Sequence, residues 1–255
     1  MNTIQNELEL AKCKMIKTVK YKNMELAELT RENIAIVEAM ICNDSAYSRS
    51  SDVNAKPEYK NNKSIKYGGS TAYWMTQLKY ILKFENQKVE HSYEKIIEGA
   101  VESVDRENNT HLNADRCRQE IINRIQTINQ EKLIRCLKEP DYENMFLINE
   151  ISRRTSAKYR ARCNISFASK FCHYACFYVF EGEEYQDNYP VYDSILRKVL
   201  PAYLDYFEIK QKFDLNNYKQ YREAVDKVIK SSKTEISRNG FDHLLWYYHK
   251  GRKIS

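Results

Sequence analysis

Glycine and proline are scarce in this chain. Its 255 residues include six glycines and four prolines, and no glycine occurs between Gly99 and Gly182. Both residue types interrupt regular secondary structure, so long stretches without them favour helices. Convincing alternation of apolar and polar residues, the pattern of a half-buried strand, is also lacking. These absences together predict an all-α protein.

The cysteines lack the patterns of a disulfide framework or a zinc knuckle. The sequence has seven cysteines, an odd number, and none of them forms a Cys-x-x-Cys pair. This usage is typical of a reduced, cytosolic protein. Cys172, His173 and Cys176 are close enough in sequence to share a metal ion, but their apolar neighbours favour core cysteines. We therefore expect neither a metal nor a cofactor.

Long apolar runs are also missing. No run approaches the roughly 18 apolar residues of a membrane span, and residues 1–17 lack the apolar core of a signal peptide. The sequence therefore predicts a soluble protein without a membrane partner, located in the cytoplasm. Its 41 basic and 35 acidic residues give a net charge of +6, which suggests an anionic partner without establishing one.

Apolar residues recur at spacings of three and four along most of the chain. They predict helices over residues 6–21, 24–41, 71–84, 93–104, 117–128, 143–151, 165–180, 194–204 and 221–230. The longest irregular segment is 43–70, and Ser70 or Thr71 is the expected N-cap of the helix that follows.

No internal repeat or proline-rich linker divides the chain, so we expect one compact helical domain with two lobes. The expected boundaries are about 1–90 for the N-terminal lobe, about 91–235 for the second lobe, and 236–255 for a C-terminal motif.

Lys170 is the one lysine of a largely apolar predicted helix, 165–180. At 3.6 residues per turn its face includes Phe167, His173 and Tyr174, and the opposite side is also apolar. A lysine among such residues must extend its ammonium group to solvent, find a partner or occupy a pocket. In an apolar pocket a lysine tends to lose its proton, and a neutral amine is a nucleophile. Lys170 is therefore a candidate catalytic residue.

Asp193 and Ser194 follow Pro190 and precede the apolar pattern of 194–204. Proline favours an extended entry, and aspartate is a preferred N-cap because its carboxylate accepts hydrogen bonds from the first amides of a helix. The position therefore predicts a helix N-cap at Asp193. Together with Lys170 on the preceding predicted helix, 23 residues earlier, Asp193 forms a more specific pattern than either residue alone.

Three short motifs resemble those of the helix-hairpin-helix DNA glycosylases. The segment FASKF carries Lys170 where the family has its catalytic lysine, and YPVYDS carries Asp193 in an element similar to the family's Pro-Val-Asp sequence. The C-terminal FDHLLWYYHKGRK resembles the ending common in the 8-oxoguanine glycosylase branch, which includes archaeal enzymes and bacterial relatives. The likeness covers roughly Arg153 to Leu204 and the C-terminal motif, while the preceding residues match only in being helical.

The resemblance implies a two-lobed helical fold and a mechanism shared by Lys170 and Asp193. Lys170 would attack C1′ of a flipped-out nucleotide, release the base and form a Schiff base that can lead to strand cleavage. Asp193 would stabilise the cationic sugar while capping its helix. Stacking of the base needs aromatic side chains, and the candidates near the lysine or in the C-terminal motif are Phe167, Tyr174, Phe177 and Trp246.

The family's hairpin before the lysine is rich in glycine, whereas the corresponding segment here, 152–170, has none. Basic side chains in this segment would replace amide contacts to phosphate with charge-assisted hydrogen bonds, and the first amides of the lysine helix offer a further phosphate site. The alternative is that DNA binding has weakened or changed. The candidate DNA-binding residues are Arg153, Arg154, Lys158, Arg160, Arg162, Ser169 and Ser194.

The predicted function is that of a monomeric glycosylase that excises a modified base from double-stranded DNA, with or without lyase activity, at the nucleoid. Two substrate classes fit: an oxidised purine such as 8-oxoguanine, in DNA repair, and a hypermodified cytosine of phage DNA, in antiviral defence. The alternative is a non-catalytic nucleic-acid-binding protein with the glycosylase fold. A third reading is a helical interaction protein without a nucleic-acid partner.

Overall fold

A computed structural model of the chain describes residues 15–42, 51–56, 68–84, 89–110, 112, 115–156 and 163–250. Within these residues lie two strands and ten α-helices. The strands are β1 (Thr18–Tyr21) and β2 (Met24–Ala27), and the helices are α1 (Arg31–Cys42), α2 (Thr71–Lys83), α3 (Tyr93–Glu107), α4 (Asp115–Gln126), α5 (Gln130–Lys138), α6 (Phe146–Ser152), α7 (Ile165–Val179), α8 (Ser194–Tyr206), α9 (Tyr218–Ser232) and α10 (Arg238–His249). None of the described helices is long and apolar enough to cross a membrane.

The mostly helical class predicted from the sequence is confirmed. Seven predicted helices occur at their expected places, as α2, α3, α4, α6, α7, α8 and α9. The predicted helix 24–41 is confirmed over residues 31–41, as α1. Helices α5 and α10 were not predicted. Of the irregular segment 43–70, the structure describes residues 51–56 and 68–70, and these contain neither helix nor strand.

The chain forms two compact units. The first, here the terminal unit, contains residues 1–44 and 190–255, and includes the two strands with α1 and α8–α10. The second, here the internal unit, contains residues 45–189 and includes α2–α7. The division into lobes at about 1–90 and 91–235 stays a prediction.

In the terminal unit, β1 and β2 form an antiparallel hairpin where the sequence predicts the end of a helix over 6–21 and the beginning of a helix over 24–41. Lys22 and Asn23 make the turn, and Lys22 has a positive φ of 52°. The helix prediction is wrong here because apolar residues in so short a segment fit helical and strand spacing equally well. The β-branched and aromatic residues of the sequence TVKY favour a strand. Residues 6–14 lie outside the described part of the chain.

Asn33 fastens this hairpin to α1. Its side chain is fully buried, and its amide nitrogen donates to the main-chain carbonyls of Lys17 and Glu28, each at 2.8 Å. Its Oδ1 accepts a hydrogen bond from the amide of Lys17 at 2.9 Å. A buried polar group without such partners costs about 1–3 kcal/mol, so these three bonds are needed to bury Asn33.

Helix α10 packs against α1 and α8 in the same unit. Tyr203 of α8 is 1% exposed and donates its hydroxyl to the main-chain carbonyl of Ala27 at 2.8 Å. The N-cap of α10 is Ser237, whose side chain accepts from the amide of Gly240. The terminal unit is therefore held together by residues from both ends of the chain.

Helices α2 and α3 approach closely in the internal unit because a glycine faces an indole ring. A Cβ atom at Gly99 would lie 2.2 Å from two ring atoms of Trp74, far inside van der Waals contact. The Trp74 ring is fully buried, and its Nε1 donates to the carbonyl of Gly68 at 2.8 Å. The predicted N-cap of α2 is confirmed at Ser70, which accepts from the amide of Tyr73.

Substituting glycine for Lys233 is expected to stabilise the protein. Lys233 is exposed and forms the C-cap of α9 with a left-handed φ of 56°, a conformation that costs an L-residue about 1–2 kcal/mol and glycine almost nothing. After the extra chain entropy of glycine is subtracted, we expect a gain of about 1 kcal/mol, or about 2–4 °C in Tm. The matched control is Lys227→Gly inside α9, which should lower Tm because glycine costs about 1 kcal/mol in a helix interior. Thermal unfolding of both variants checks the two signs.

Candidate active site

Lys170 lies on a strip of α7 that solvent reaches. It is the only lysine, arginine or acidic residue within Ile165–Val179. The opposite side of the helix is in the core, with Ala168, Cys172, Ala175 and Cys176 all at 0% exposure. The partly exposed residues of the strip, spaced at four, four and three, are Ser166, Lys170, Tyr174 and Phe177. The only formal charge of the helix is therefore accessible, with aromatic side chains on the same strip.

The side chains beside Lys170 are held in place by hydrogen bonds and ring packing. His173 is 5% exposed, and its Nδ1 lies 3.1 Å from the carbonyl oxygen of Tyr189, so Nδ1 carries the proton. Phe177 stacks on the His173 ring, with centroids 6.2 Å apart. The hydroxyl of Tyr174 donates to Oδ1 of Asn108 at 3.1 Å.

Two further predicted site residues of α7 are buried. Phe167 is 1% exposed and its ring packs beside Phe171, with centroids 6.2 Å apart. Ser169 is fully buried and donates its hydroxyl to the carbonyl of Ser166 at 3.0 Å. Both are part of the core of the internal unit in this structure.

The two cysteines of α7 are also core residues, as the sequence indicates. Cys172 and Cys176 are fully buried, and burial raises the pKa of the Cys172 thiol well above its usual value. A thiol must lose its proton to bind a metal or to act as a nucleophile, so burial disfavours both roles for Cys172. Among the described residues, no group of three or more histidine, cysteine or acidic side chains is arranged to hold a metal ion.

Helices α6 and α7 are consecutive in the chain and pack against each other. The amide of Asn164 donates to the carbonyl of Ser152 at 2.9 Å, which closes the connecting segment at its base. Arg153 and Arg154 open this segment and are both exposed. The other three basic candidates, Lys158, Arg160 and Arg162, lie outside the described residues.

Helix α4 contacts the beginning of that segment, which the sequence did not indicate. Arg124 donates to the main-chain carbonyls of Arg153 at 2.6 Å and Arg154 at 3.3 Å. Glu120 accepts from both the amide and the hydroxyl of Ser156. The spacing of Glu120 and Arg124 signals a helical ion pair, but it does not reveal the contact with a segment some thirty residues further on.

In the terminal unit, the predicted N-cap at Asp193 is confirmed. Its Oδ1 accepts from the amide of Ile195 at 2.7 Å at the start of α8, and the exposed Ser194 is the first residue of the helix. The carboxylate is partly exposed. The structure thus supports the capping role on which the sequence prediction was based.

Two tyrosines of α9 hold the strand-like entry to α8. The hydroxyl of Tyr218 donates to the carbonyl of Pro190, and that of Tyr221 donates to the carbonyl of Val191, each at 2.7 Å. Tyr221 is fully buried, and burial raises the pKa of its hydroxyl well above the usual value, so it stays a donor. Both tyrosines position the backbone leading to Asp193, and sequence reasoning missed them.

Trp246 lies on α10 in the terminal unit and is partly exposed. The ammonium nitrogen of Lys250 lies 3.9 Å from the centre of its ring, a close cation–π contact. The predicted site residues are thus divided between the units: Lys170 and its neighbours belong to the internal unit, whereas Asp193 and Trp246 belong to the terminal unit.

No protein-family model, curated protein or solved structure matches this chain.

Proposed function

We propose that the chain is a DNA glycosylase of the helix-hairpin-helix kind, with a two-lobed arrangement, that excises a modified base. The observation that carries the proposal is the position of Lys170. It is the only formal charge of α7, lies on the partly exposed strip, and belongs to the second helix of a packed pair joined by a basic segment. The likeness of the FASKF and YPVYDS motifs to glycosylase sequences supports the same function.

In the proposed reaction the neutral amine of Lys170 attacks C1′ of a flipped-out nucleotide. The bond between C1′ and the base nitrogen breaks, and the base leaves with the electron pair and takes up a proton. The amine loses its proton and the sugar ring opens to a Schiff base. Tyr174 and Phe177 offer aromatic surface on the same strip of α7 for stacking.

Asp193 stabilises the positive charge that develops on the sugar as the base departs. Its carboxylate is also engaged with the first turn of α8, through the amide of Ile195. A carboxylate has two oxygens with about four acceptor sites, so capping a helix and stabilising a cationic sugar are chemically compatible roles.

The experiment that tests the proposal is borohydride trapping on a panel of duplexes that carry oxidised, alkylated or hypermodified bases. Base release is followed in parallel. A covalent protein–DNA adduct together with release identifies an amine nucleophile and the substrate class. Release without an adduct indicates a glycosylase that uses water. Duplex binding without release of any base would contradict the enzyme and favour a non-catalytic nucleic-acid-binding protein.

Asp193→Asn is expected to slow base release by about 10²–10³-fold, the range for loss of one group that stabilises transition-state charge. Its thermal stability should hardly change, because asparagine caps a helix as well as aspartate does. Asp193→Ala is the matched control for the cap, and should cost about 1 kcal/mol of stability. Single-turnover kinetics and thermal unfolding separate the two roles. Unchanged release by Asp193→Asn would show that the residue is a cap alone.

A further inference from the structure

One face of α4 contacts four consecutive residues at the start of the basic segment. Cys117, Glu120 and Arg124 occupy this face at spacings of three and four. The Cys117 sulfur lies 3.2 Å from Oγ1 of Thr155, which is 1% exposed. Glu120 accepts hydrogen bonds from the amide of Ser156, at 2.9 Å, and from its hydroxyl. Because Arg124 donates to the carbonyls of Arg153 and Arg154, every residue of 153–156 contacts α4.

The contact of Arg124 depends on the fork of its guanidinium group. Nη1 donates to the carbonyl of Arg153 and Nη2 to that of Arg154, while Nη2 also lies 3.3 Å from Glu120. The Arg124 side chain is only 12% exposed, so its charge is used inside the fold rather than offered to solvent. The hydrogen bonds from Ser156 lower the pKa of Glu120, which keeps its carboxylate ionised at neutral pH.

The same contacts leave the arginine side chains of the segment outside. Arg153 has 60% of its side chain exposed and forms one weak ion pair, at 3.7 Å, with Glu150 of α6. Arg154 is exposed as well. Because the carbonyls of both residues point to Arg124, their backbone is fixed while their guanidinium groups face solvent. The two cations are therefore preorganised: their backbone is already ordered in the folded protein, so binding a ligand does not carry the entropy cost of ordering it.

We propose that residues 153–156 are a preformed docking segment for the phosphodiester backbone of nucleic acid, and that Glu120 and Arg124 are positioning residues that hold it. The inference rests on the DNA binding in the proposed function. Arginine suits this partner because its fork matches phosphate oxygens. Glu120 and Arg124 do not contact the nucleic acid themselves; they act through the arginines at 153 and 154.

Glu120→Gln gives the sharpest test, because simple electrostatics and positioning predict opposite signs. The substitution removes a negative charge beside a polyanion site, so charge alone would strengthen binding. Glutamine has one acceptor oxygen where glutamate has two, and it lacks the charge that pairs with Arg124, so a positioning role predicts weaker binding, by about 10-fold for the lost preorganisation. The matched control is Glu131→Gln on α5, an exposed residue, which should bind as well as the wild type or better. Affinity is measured by anisotropy on an unmodified duplex at several salt concentrations.

A double-mutant cycle tests the route of the effect. In an Arg153→Gln/Arg154→Gln background, Glu120→Gln should cause no further loss of affinity, because the side chains that it positions are gone. The salt slope of Glu120→Gln should fall by up to about two ions, although the variant has lost no positive charge. Thermal unfolding checks that the fold is intact. Should Glu120→Gln fail to fold, Ser156→Ala removes one of the same bonds from an exposed residue, and about 3-fold weaker binding is expected.

Wild-type affinity or tighter binding in Glu120→Gln, additive losses in the cycle, or absence of duplex binding by the wild type would each overturn the inference. If the variants lose duplex affinity as expected but the wild type releases no base, the docking segment is supported and the glycosylase activity is contradicted. If the wild type releases the base but the losses of affinity are additive, the enzyme is supported and the positioning role is contradicted.

Discussion

Substituting glutamine for Lys170 is expected to abolish base release and the borohydride-trapped adduct together. Loss of a catalytic nucleophile typically lowers turnover by on the order of 10³-fold or more, and no other amine lies within α7 to replace it. Glutamine is polar and similar in size to lysine, but its amide nitrogen cannot form a Schiff base. Duplex affinity should stay within a few-fold of the wild type, since at most about one ion pair is lost.

The matched control is Lys138→Gln, which removes the same charge from an exposed position of α5 in the internal unit. That variant should release the base and form the adduct at wild-type rates. Base release by Lys170→Gln without an adduct would show that water is the nucleophile. Base release at the wild-type rate, together with an adduct, would show that the reactive amine belongs to another residue.

Substituting alanine for Gly99 is expected to destabilise the protein strongly, although alanine is the better helix former. The added methyl group would lie 2.2 Å from the Trp74 ring, so α2 and α3 must separate or the ring must move. The ring is fully buried and hydrogen-bonded to Gly68, and overpacking of this kind costs about 1–3 kcal/mol or more. The helix-propensity gain of about 1 kcal/mol offsets only part of that cost. Because an overlap this severe is at the upper end of that range, we expect a net loss of about 2 kcal/mol and a fall in Tm of about 4–8 °C in thermal unfolding.

Gly240→Ala on α10 is the control for the same substitution with a much smaller overlap. Its methyl group would lie 3.0 and 3.2 Å from two side-chain carbons of Ile34 and 3.1 Å from the Ser237 hydroxyl, so shifts of a few tenths of an ångström suffice and the effect should stay within about 1 kcal/mol. A second check combines Gly99→Ala with Trp74→Leu: if the ring causes the loss, the double variant is less destabilised than the sum of the single ones. A rise of Tm in Gly99→Ala would contradict the close packing.

Most helices could be predicted from periodicity, because a long amphipathic segment repeats its signal over several turns. The helix prediction failed at the hairpin, where the segments are short. The four-residue strands of the hairpin are too short to show a period. The hairpin is positioned by hydrogen bonds from Asn33 to the main chain of Lys17 and Glu28, which form only in the folded protein. Local sequence does not contain that information.

The candidate site divides in the same way. Lys170 could be found because a lysine inside an apolar helix violates the local pattern, and Asp193 because a cap has a fixed place relative to its helix. Residues that support the site could not be found from spacing alone. In the sequence Tyr221 is indistinguishable from other core aromatic residues, and only the structure shows that its hydroxyl donates to the carbonyl of Val191. Glu120 resembles one member of a surface ion pair, and only the structure shows that it accepts from Ser156.

The interrupted sequence of the terminal unit has a consequence for the order of folding during synthesis. Residues 45–189 leave the ribosome as a complete set, so the internal unit can fold while translation continues. The hairpin and α1 are synthesised earlier, but two of their native partners are not yet present. Tyr203, whose hydroxyl donates to Ala27, lies 176 positions further along the chain, and α10, which packs against α1, lies later still. Until residues 190–255 emerge, their apolar surface stays exposed to solvent or to chaperones. The earliest part of the chain is therefore among the last to reach its native packing.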